Sequence, residues 1–411
     1  MRWPLWNRGS SSAIRADFGG IWYDIYGSIL GFTKYSATAE IASALPLQGG
    51  AYRWYKESWG GFWGFQFGWL EWLSWMFEAA LYPTLVAIYC VHFFFPEAGI
   101  YTTWCITLSV IWISIVLNIR GIQTVGKWST ILAWFQVLPV LWFIIIGVNH
   151  IDLSFLSNLN IPANTTTLEA LTMALIFGLW NFSGYAGLAT AAEEIEDTPT
   201  AYPKALLITL IISLVMYVVP LIIGISVDQN WSNWDEAQFN SAALVLGGGA
   251  FAWWFMLAAQ SSNFGLINSE LIVLSRLIQA MSMDGFLPQA LNKLHHKYET
   301  PVHSLIMQGM LLSIMTFGMG FVDLLVVGTW LSIPTYLIGF AVFISLRIQK
   351  PDMDRPFKIK GGWLVIIPIV AIPCFIALFI FINTPKDYLL ETIPLLLSGF
   401  AVYFIQKIFS K

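Results

Sequence analysis

Apolar runs of about 20 residues, separated by short polar segments, recur along the whole chain, and runs of this length can cross a bilayer as helices. Eleven runs qualify, at 20–45, 61–95, 101–118, 128–148, 168–192, 203–227, 241–281, 302–320, 322–347, 363–383 and 387–408. The pattern predicts an all-α, polytopic membrane protein with about 11 transmembrane helices, in a single transmembrane domain over residues 19–411. Residues 1–18 are too polar to span and are predicted to form a non-spanning N-terminal segment.

Small and polar residues interrupt the span at 168–192, where Asn181, Ser183, Gly184 and Gly187 occur within an apolar segment. Such residues let the backbone leave the helix, and the freed N–H and C=O groups then need polar partners that lipid does not supply. In secondary transporters, broken helices of this kind hold the solute or its coupling ion near the middle of the bilayer. A kink tolerated at a helix packing interface is the alternative interpretation.

Composition agrees with a lipid-embedded protein and argues against other classes. Apolar residues make up 57% of the chain and charged residues 11%, and the mean hydropathy is +0.68. A net charge of −4 gives no electrostatic basis for binding nucleic acid. The three cysteines and five histidines show no metal-ligand spacing, and no nucleophile is clustered with a base, so neither a metal site nor a membrane-embedded enzyme is predicted.

The distribution of Lys and Arg predicts the orientation. If the loop 46–60 is cytoplasmic, most basic residues of the later loops fall on the same side. Arg2, Arg8 and Arg15 then fall on the opposite side. One additional N-terminal span would remove this conflict, so we expect that a first helix is missing from this sequence.

Several sequence motifs resemble those of the amino acid–polyamine–organocation (APC) transporter superfamily. They are AEIASALP at 39–46, the Gly- and Trp-rich stretch at 49–75, LNIRGIQTVGKW at 117–128, the broken segment described above, and MDGFLPQALNKLHHKYETP at 283–301. FWGFQFGW at 62–69 and EAALYP at 78–83 are most similar to the branch that carries polyamines and amino acids. The similarity extends over nearly the whole chain after about residue 19.

The resemblance implies a fold of two inverted five-helix repeats plus two extra helices, with solute held between the broken first and sixth helices. Residues 168–192 correspond to the sixth helix and 20–45 to the second. The implied function is a multi-pass permease of the plasma membrane that moves amino acids or related amines by alternating access, impaired by loss of the first helix. A non-transporting sensor or a truncated remnant of such a permease is the alternative.

The candidate solute-binding residues come from the broken helix and from three polar positions elsewhere in the membrane. They are Phe177, Trp180, Asn181, Ser183, Gly184, Tyr185, Glu78, Tyr82 and Glu270. In relatives an aromatic gate stands where Trp180 does, and acids stand where Glu78 and Glu270 do. Two such buried acids can accept a cationic solute or relay protons. Packing is the alternative role for Trp180, and a hydrogen bond to a neighbouring helix is the alternative for each acid.

Lys34 and Glu71 are intramembrane charges at matching depths, about 18 Å and 15 Å from the predicted cytoplasmic boundary at 1.5 Å per residue. We predict that they form a structural ion pair. Ala186 stands where relatives with cationic substrates carry an acid, and Gln136 stands where proton-coupled members often carry lysine. The substrate therefore stays open between an amino acid and a polyamine, and the coupling ion between H⁺ and Na⁺. No cofactor is predicted, and the oligomeric state stays open.

Overall fold

The computed structural model describes residues 19–45, 49–121, 125–154, 166–182, 184, 198–227, 238–384 and 387–409. Within these ranges the chain forms eleven α-helices and no β-strand. They are α1 (Gly19–Ala44), α2 (Ala51–Phe94), α3 (Ile100–Arg120), α4 (Val125–Gly147), α5 (Thr167–Asn181), α6 (Thr198–Val227), α7 (Gln238–Met283), α8 (Val302–Gly318), α9 (Phe321–Gln349), α10 (Gly362–Asn383) and α11 (Asp387–Phe409). The segment 1–18, predicted not to span, lies outside the described residues.

Each predicted span overlaps one of these helices. Seven of the described helices, α2, α3, α4, α6, α7, α9 and α10, contain segments long and apolar enough to cross a membrane. Shorter apolar helices are formed by α5, by α8 and by residues Thr392–Ile408 of α11. The prediction of an all-α, polytopic membrane protein is confirmed.

The two longest helices each contain one glycine with non-helical backbone angles. Gly60 in the 44-residue α2 has φ 84° and ψ 174°, and Gly248 in the 46-residue α7 has φ 76° and ψ −179°. Unbroken helices of these lengths would extend over roughly 66 Å and 69 Å, about twice the hydrocarbon thickness of a bilayer. The kinks therefore separate a short first segment from a long membrane helix in both cases.

The two kinked helices occupy equivalent places in the two halves of the chain, because α7 follows α2 by five helices. A shift of five helices also relates α4 to α9. In the structure α2 packs against α9, and α7 packs against α4. The five-helix shift turns the contact between α2 and α9 into the contact between α7 and α4. Two repeats of five helices, as in the predicted fold, would give this pair of equivalent contacts.

Replacing Gly60 or Gly248 with alanine is expected to lower the free energy of unfolding by about 1–2 kcal/mol, because a side chain is strained at positive φ. An added Cβ meets no atom within 4 Å at either position, so backbone strain dominates the cost. Gly249 is a matched control, since its Cβ also meets no atom and its φ is not positive. Alanine there should be neutral or stabilising by up to about 1 kcal/mol. Unfolding in mixed detergent micelles measures all three variants, and equal effects at Gly248 and Gly249 would contradict the strain.

Helix α1 packs closely against the end of α5. A Cβ at Gly27 would lie 2.6 Å from Phe182 Cδ2 and 2.7 Å from the carbonyl oxygen of Gly178. A Cβ at Gly31 would lie 3.1 Å from Phe182 Cβ. Small residues allow such close approach between membrane helices. The predicted break after α5 is therefore held directly against α1.

The main hydrophobic core lies among α2, α5, α7, α8 and α9. Trp72 and Phe65 from α2 and Trp330 from α9 are among its largest fully buried side chains. Because α2 runs through this core, acids on its inner faces are enclosed by other helices instead of by lipid.

Candidate functional site

The sequence determines both ends of α5. At its start Thr166 and Glu169 form a capping box: the Glu169 N–H donates to the Thr166 hydroxyl at 3.2 Å, and the Thr166 N–H donates to the Glu169 carboxylate at 2.9 Å. At its other end the helix stops at Asn181, and Gly184 has φ 86°. The backbone thus leaves the helix inside the apolar segment 168–192, where the break is predicted.

The end of α5 presents backbone groups that favour a cation. The last four carbonyl groups of a helix lack intrahelical partners and carry a partial negative charge. A positively charged group beside Asn181 is therefore stabilised by the helix end. Ser183 and Tyr185, two of the predicted binding residues, lie outside the described residues.

A narrow cavity of about 30 Å³, which we call the outer cavity, lies beside this helix end. Trp180 and Gly184 line it from the broken segment. Its polar wall includes Lys34, Ser74, Glu78, Thr329, Ser332 and Tyr336. The structure thus brings α1, α2, α5 and α9 together around a polar space within the membrane helices.

Three predicted binding residues interact with one another, and of these Glu78 lines the outer cavity, whereas Tyr82 and Glu270 are not part of its lining. Glu78 and Tyr82, one turn apart on α2, hydrogen-bond to each other, and Glu270 on α7 interacts electrostatically with both. Glu270 Oε2 is buried and has no hydrogen-bond partner among the described residues. Two carboxyl groups this close inside a membrane protein favour binding of a cation or a proton.

The other predicted residues of α5 have different surroundings. The Trp180 ring lies at the cavity wall, edge-on to Phe321 with ring centres 5.9 Å apart and planes at 71°. Phe177 is buried in the hydrophobic core. Asn181 is the half-buried last residue of the helix. Trp180 is thus the predicted aromatic residue that the structure places on the cavity.

A second narrow cavity of about 40 Å³, the inner cavity, shares Lys34 and Tyr336 with the outer one. It extends to Trp54, near the loop assigned to the cytoplasm. Lys34 Nζ lies 3.6 Å from the centre of the Tyr336 ring, in a cation–π contact. Glu71 lines the same cavity and accepts a hydrogen bond from Tyr55. Lys34 and Glu71 thus border one space, and their ion pair stays a prediction.

A buried carboxylate joins three elements on the predicted cytoplasmic side. Glu40 of α1 is 1% exposed and accepts hydrogen bonds from Arg347 Nε at 2.8 Å and from the Ile359 N–H at 2.8 Å. Arg347 also contacts it through a second guanidinium nitrogen, and Arg355 Nε lies 3.3 Å from Glu40 Oε1. The cluster links α1, α9 and the segment between α9 and α10.

Asp284, directly after α7, binds the first segment of α2. Its carboxylate accepts hydrogen bonds from the Tyr52 hydroxyl and from Arg53 Nη1, which lies 3.0 Å from one carboxylate oxygen and 3.2 Å from the other. It also forms an ion pair with Lys56 Nζ at 2.9 Å. Burial alone raises the pKa of Asp284. The hydrogen bonds from Tyr52 and Lys56 and the charges of Arg53 and Lys56 outweigh that effect and lower the pKa below its usual value.

The lowered pKa predicts that this contact is sensitive to acid. A carboxyl group whose folded pKa is depressed contributes stability above its unfolded pKa of about 3.9, and this contribution is lost as the pH falls through the folded value. We expect the free energy of unfolding to decline below about pH 4 and Asp284→Asn to reduce the decline. Unfolding curves between pH 3 and pH 7 measure this, and an unchanged pH dependence in the variant would contradict the assignment to Asp284.

The sequence profile of the amino acid permease family matches residues 19–403. The chain belongs to this family. Among the relatives of this permease, a probable polyamine transporter of Arabidopsis thaliana is 28% identical over 348 residues, which cover 82% of the permease and 68% of the relative. The polyamine transporter PUT1 of Oryza sativa subsp. japonica is 29% identical over 335 residues, covering 79% of the permease and 60% of the relative.

A third relative is named for amino acids. The large neutral amino acids transporter small subunit 2 of Rattus norvegicus is 26% identical over 402 residues, covering 89% of the permease and 70% of the relative. The family and the relatives confirm the resemblance to amino acid and polyamine transporters. The permease is therefore a multi-pass membrane transporter and not an enzyme.

Helix α9 contributes cavity residues that were not among the predicted binding residues. Ser332, Thr335 and Tyr336 lie around Pro334 in the middle of an apolar helix. Proline in a membrane helix frees a backbone carbonyl that needs another partner, so this cluster was a usable signal. Lys34 is predicted from the sequence only as a partner of Glu71, whereas it also lies on the outer cavity.

Proposed function

We propose that the permease is a secondary active transporter of amines, either amino acids or polyamines, and that the outer cavity holds an ammonium group of the solute during alternating access. Glu78 lines the outer cavity beside the broken end of α5 and interacts with Glu270, and these two acids carry the proposal. Their charges lie inside the membrane helices, where a cationic partner offsets the cost of burial. The relatives, named for polyamines and for large neutral amino acids, support both classes of solute.

Three groups around the outer cavity favour an ammonium group in particular. The Glu78 carboxylate accepts charge-assisted hydrogen bonds. The end of α5 adds the partial negative charge of its carbonyl groups. Trp180 offers the face of an indole ring, which attracts cations.

Alternating access is supported by the order of the two cavities and by two clusters of charged residues on the predicted cytoplasmic side. The inner cavity continues from the outer one toward the predicted cytoplasmic side. There the Glu40 cluster ties α1 to α9, and the Asp284 cluster ties α2 to α7. Release of solute to that side requires these elements to separate, as in a gated carrier. We also propose the plasma membrane as the location of the permease.

Transport by the purified 411-residue chain in proteoliposomes tests the proposal. Radiolabelled putrescine, spermidine and leucine are supplied with a pH gradient, a Na⁺ gradient or neither. We expect saturable uptake of at least one solute above protein-free vesicles, and the gradient that accelerates it identifies the coupling ion. Binding of these solutes without uptake would overturn the proposal in favour of a non-transporting sensor, and neither binding nor uptake would overturn it outright.

A further inference from the structure

Lys34 occupies the boundary between the outer and inner cavities. Its side chain lines both, and its ammonium group rests on the ring of Tyr336, which also lines both. Each cavity has an acid from α2 in its wall, Glu78 in the outer and Glu71 in the inner. One lysine therefore lies between two carboxyl groups in separate spaces.

The geometry of α2 places both acids within reach of this lysine. Glu71 and Glu78 are seven residues apart, so they project from nearly the same face with about 10.5 Å between them along the helix axis. The ammonium group interacts electrostatically with Glu71 and, more weakly, with Glu78. A lysine side chain is a flexible four-carbon stem, so rotation about its bonds can carry the charge toward either acid.

Glu71, the acid in the wall of the inner cavity, has one carboxylate oxygen that lacks a hydrogen-bond partner among the described residues. This oxygen is Oε2, and Glu71 is 6% exposed. A buried carboxylate oxygen without a partner is costly. The open oxygen in the wall of the inner cavity is thus a second place where the Lys34 ammonium is stabilised.

We propose that Lys34 is a tethered counter-ion that pairs with Glu78 while the outer cavity is empty and moves to Glu71 when an ammonium group of the solute binds Glu78. The proposal rests on the function proposed for the outer cavity. It has two consequences. Lys34 competes with the solute for Glu78, and it compensates the charge of Glu78 while the empty carrier returns across the membrane.

Lys34→Met keeps the length of the side chain and removes its charge. If Lys34 occupies Glu78 about nine-tenths of the time, its removal lowers KM for the amine by about tenfold. Net uptake at saturation should fall by about tenfold or more, because the empty carrier returns with an uncompensated buried carboxylate. Exchange of internal for external solute needs no empty return and should persist. Lys34→Arg should retain net uptake.

Lys350→Met is the matched control, because Lys350 is another lysine near the predicted cytoplasmic side but forms an exposed ion pair with Glu57. It should leave KM, net uptake and exchange unchanged.

A fixed structural pair between Lys34 and Glu71 gives a different pattern. Lys34→Met would then lower the melting temperature and both transport modes together, and adding Glu71→Gln would restore all three.

The outcomes separate this inference from the proposed function. Lowered KM with loss of net uptake and preserved exchange supports the tethered counter-ion. The counter-ion is overturned if the wild type transports but Lys34→Met either loses net uptake and exchange in parallel or changes neither. The proposed function then still stands. Absence of both uptake and exchange in the wild type overturns the proposed function and the counter-ion with it.

Discussion

Glu40→Ala is expected to lower the free energy of unfolding by about 3–5 kcal/mol, because it leaves buried charges without their partner. Glu40 is shared by Arg347 and Arg355, whose side chains are only 10% and 5% exposed. The backbone N–H of Ile359 loses its acceptor as well. Unfolding in mixed detergent micelles measures the change, and the yield of folded protein gives a second readout.

The matched control is Glu57→Ala, because Glu57 pairs with Lys350 at 46% and 40% exposure. Exposed pairs contribute about 0–1 kcal/mol, so this variant should unfold nearly as the wild type does. Comparable losses in Glu40→Ala and Glu57→Ala would show that burial of the cluster is not what stabilises it.

Glu78→Gln is expected to lower kcat/KM for amine uptake by about 30-fold or more, since loss of one partner of a buried charge pair costs about 2–5 kcal/mol. Glutamine has nearly the same shape and can still accept the hydrogen bond from Tyr82. Folding should therefore be retained, as thermal unfolding can verify. Initial rates of uptake in proteoliposomes provide the measurement.

Glu97→Gln serves as the control for charge alone, because Glu97 is exposed in the loop after α2. Its uptake kinetics should match those of the wild type. If Glu78→Gln transports normally, or if Glu97→Gln loses as much activity, Glu78 does not bind the ammonium group.

The number and order of the helices could be predicted because bilayer thickness fixes the length of an apolar run. The beginning of α2 could not. Residues 51–59 are helical but too polar for a membrane span, so the predicted span begins at 61. Both kinks had a visible signal in the sequence, because Gly248 lies in the glycine run 247–249 and Gly60 in the pair 60–61.

The broken helix and the polar surroundings of Glu78 could be predicted because polar groups in an apolar helix need partners that lipid lacks. The Glu40 cluster could not be predicted in this way. Glu40 lies near the end of an apolar span, and its partner Arg347 is 307 residues further along the chain. Only the folded arrangement of α1 and α9 brings the two together.

The glycines of α1 determine which parts of the permease move together. Since one methyl group at Gly27 would already meet the Gly178 carbonyl oxygen at 2.7 Å, α1 and the broken end of α5 have no room to slide past each other. If the permease works by alternating access as proposed, we expect these two helices to move as one rigid body. The outer cavity should then open on its other side, where Trp180 meets Phe321 at the start of α9. We expect solute to enter along this aromatic contact.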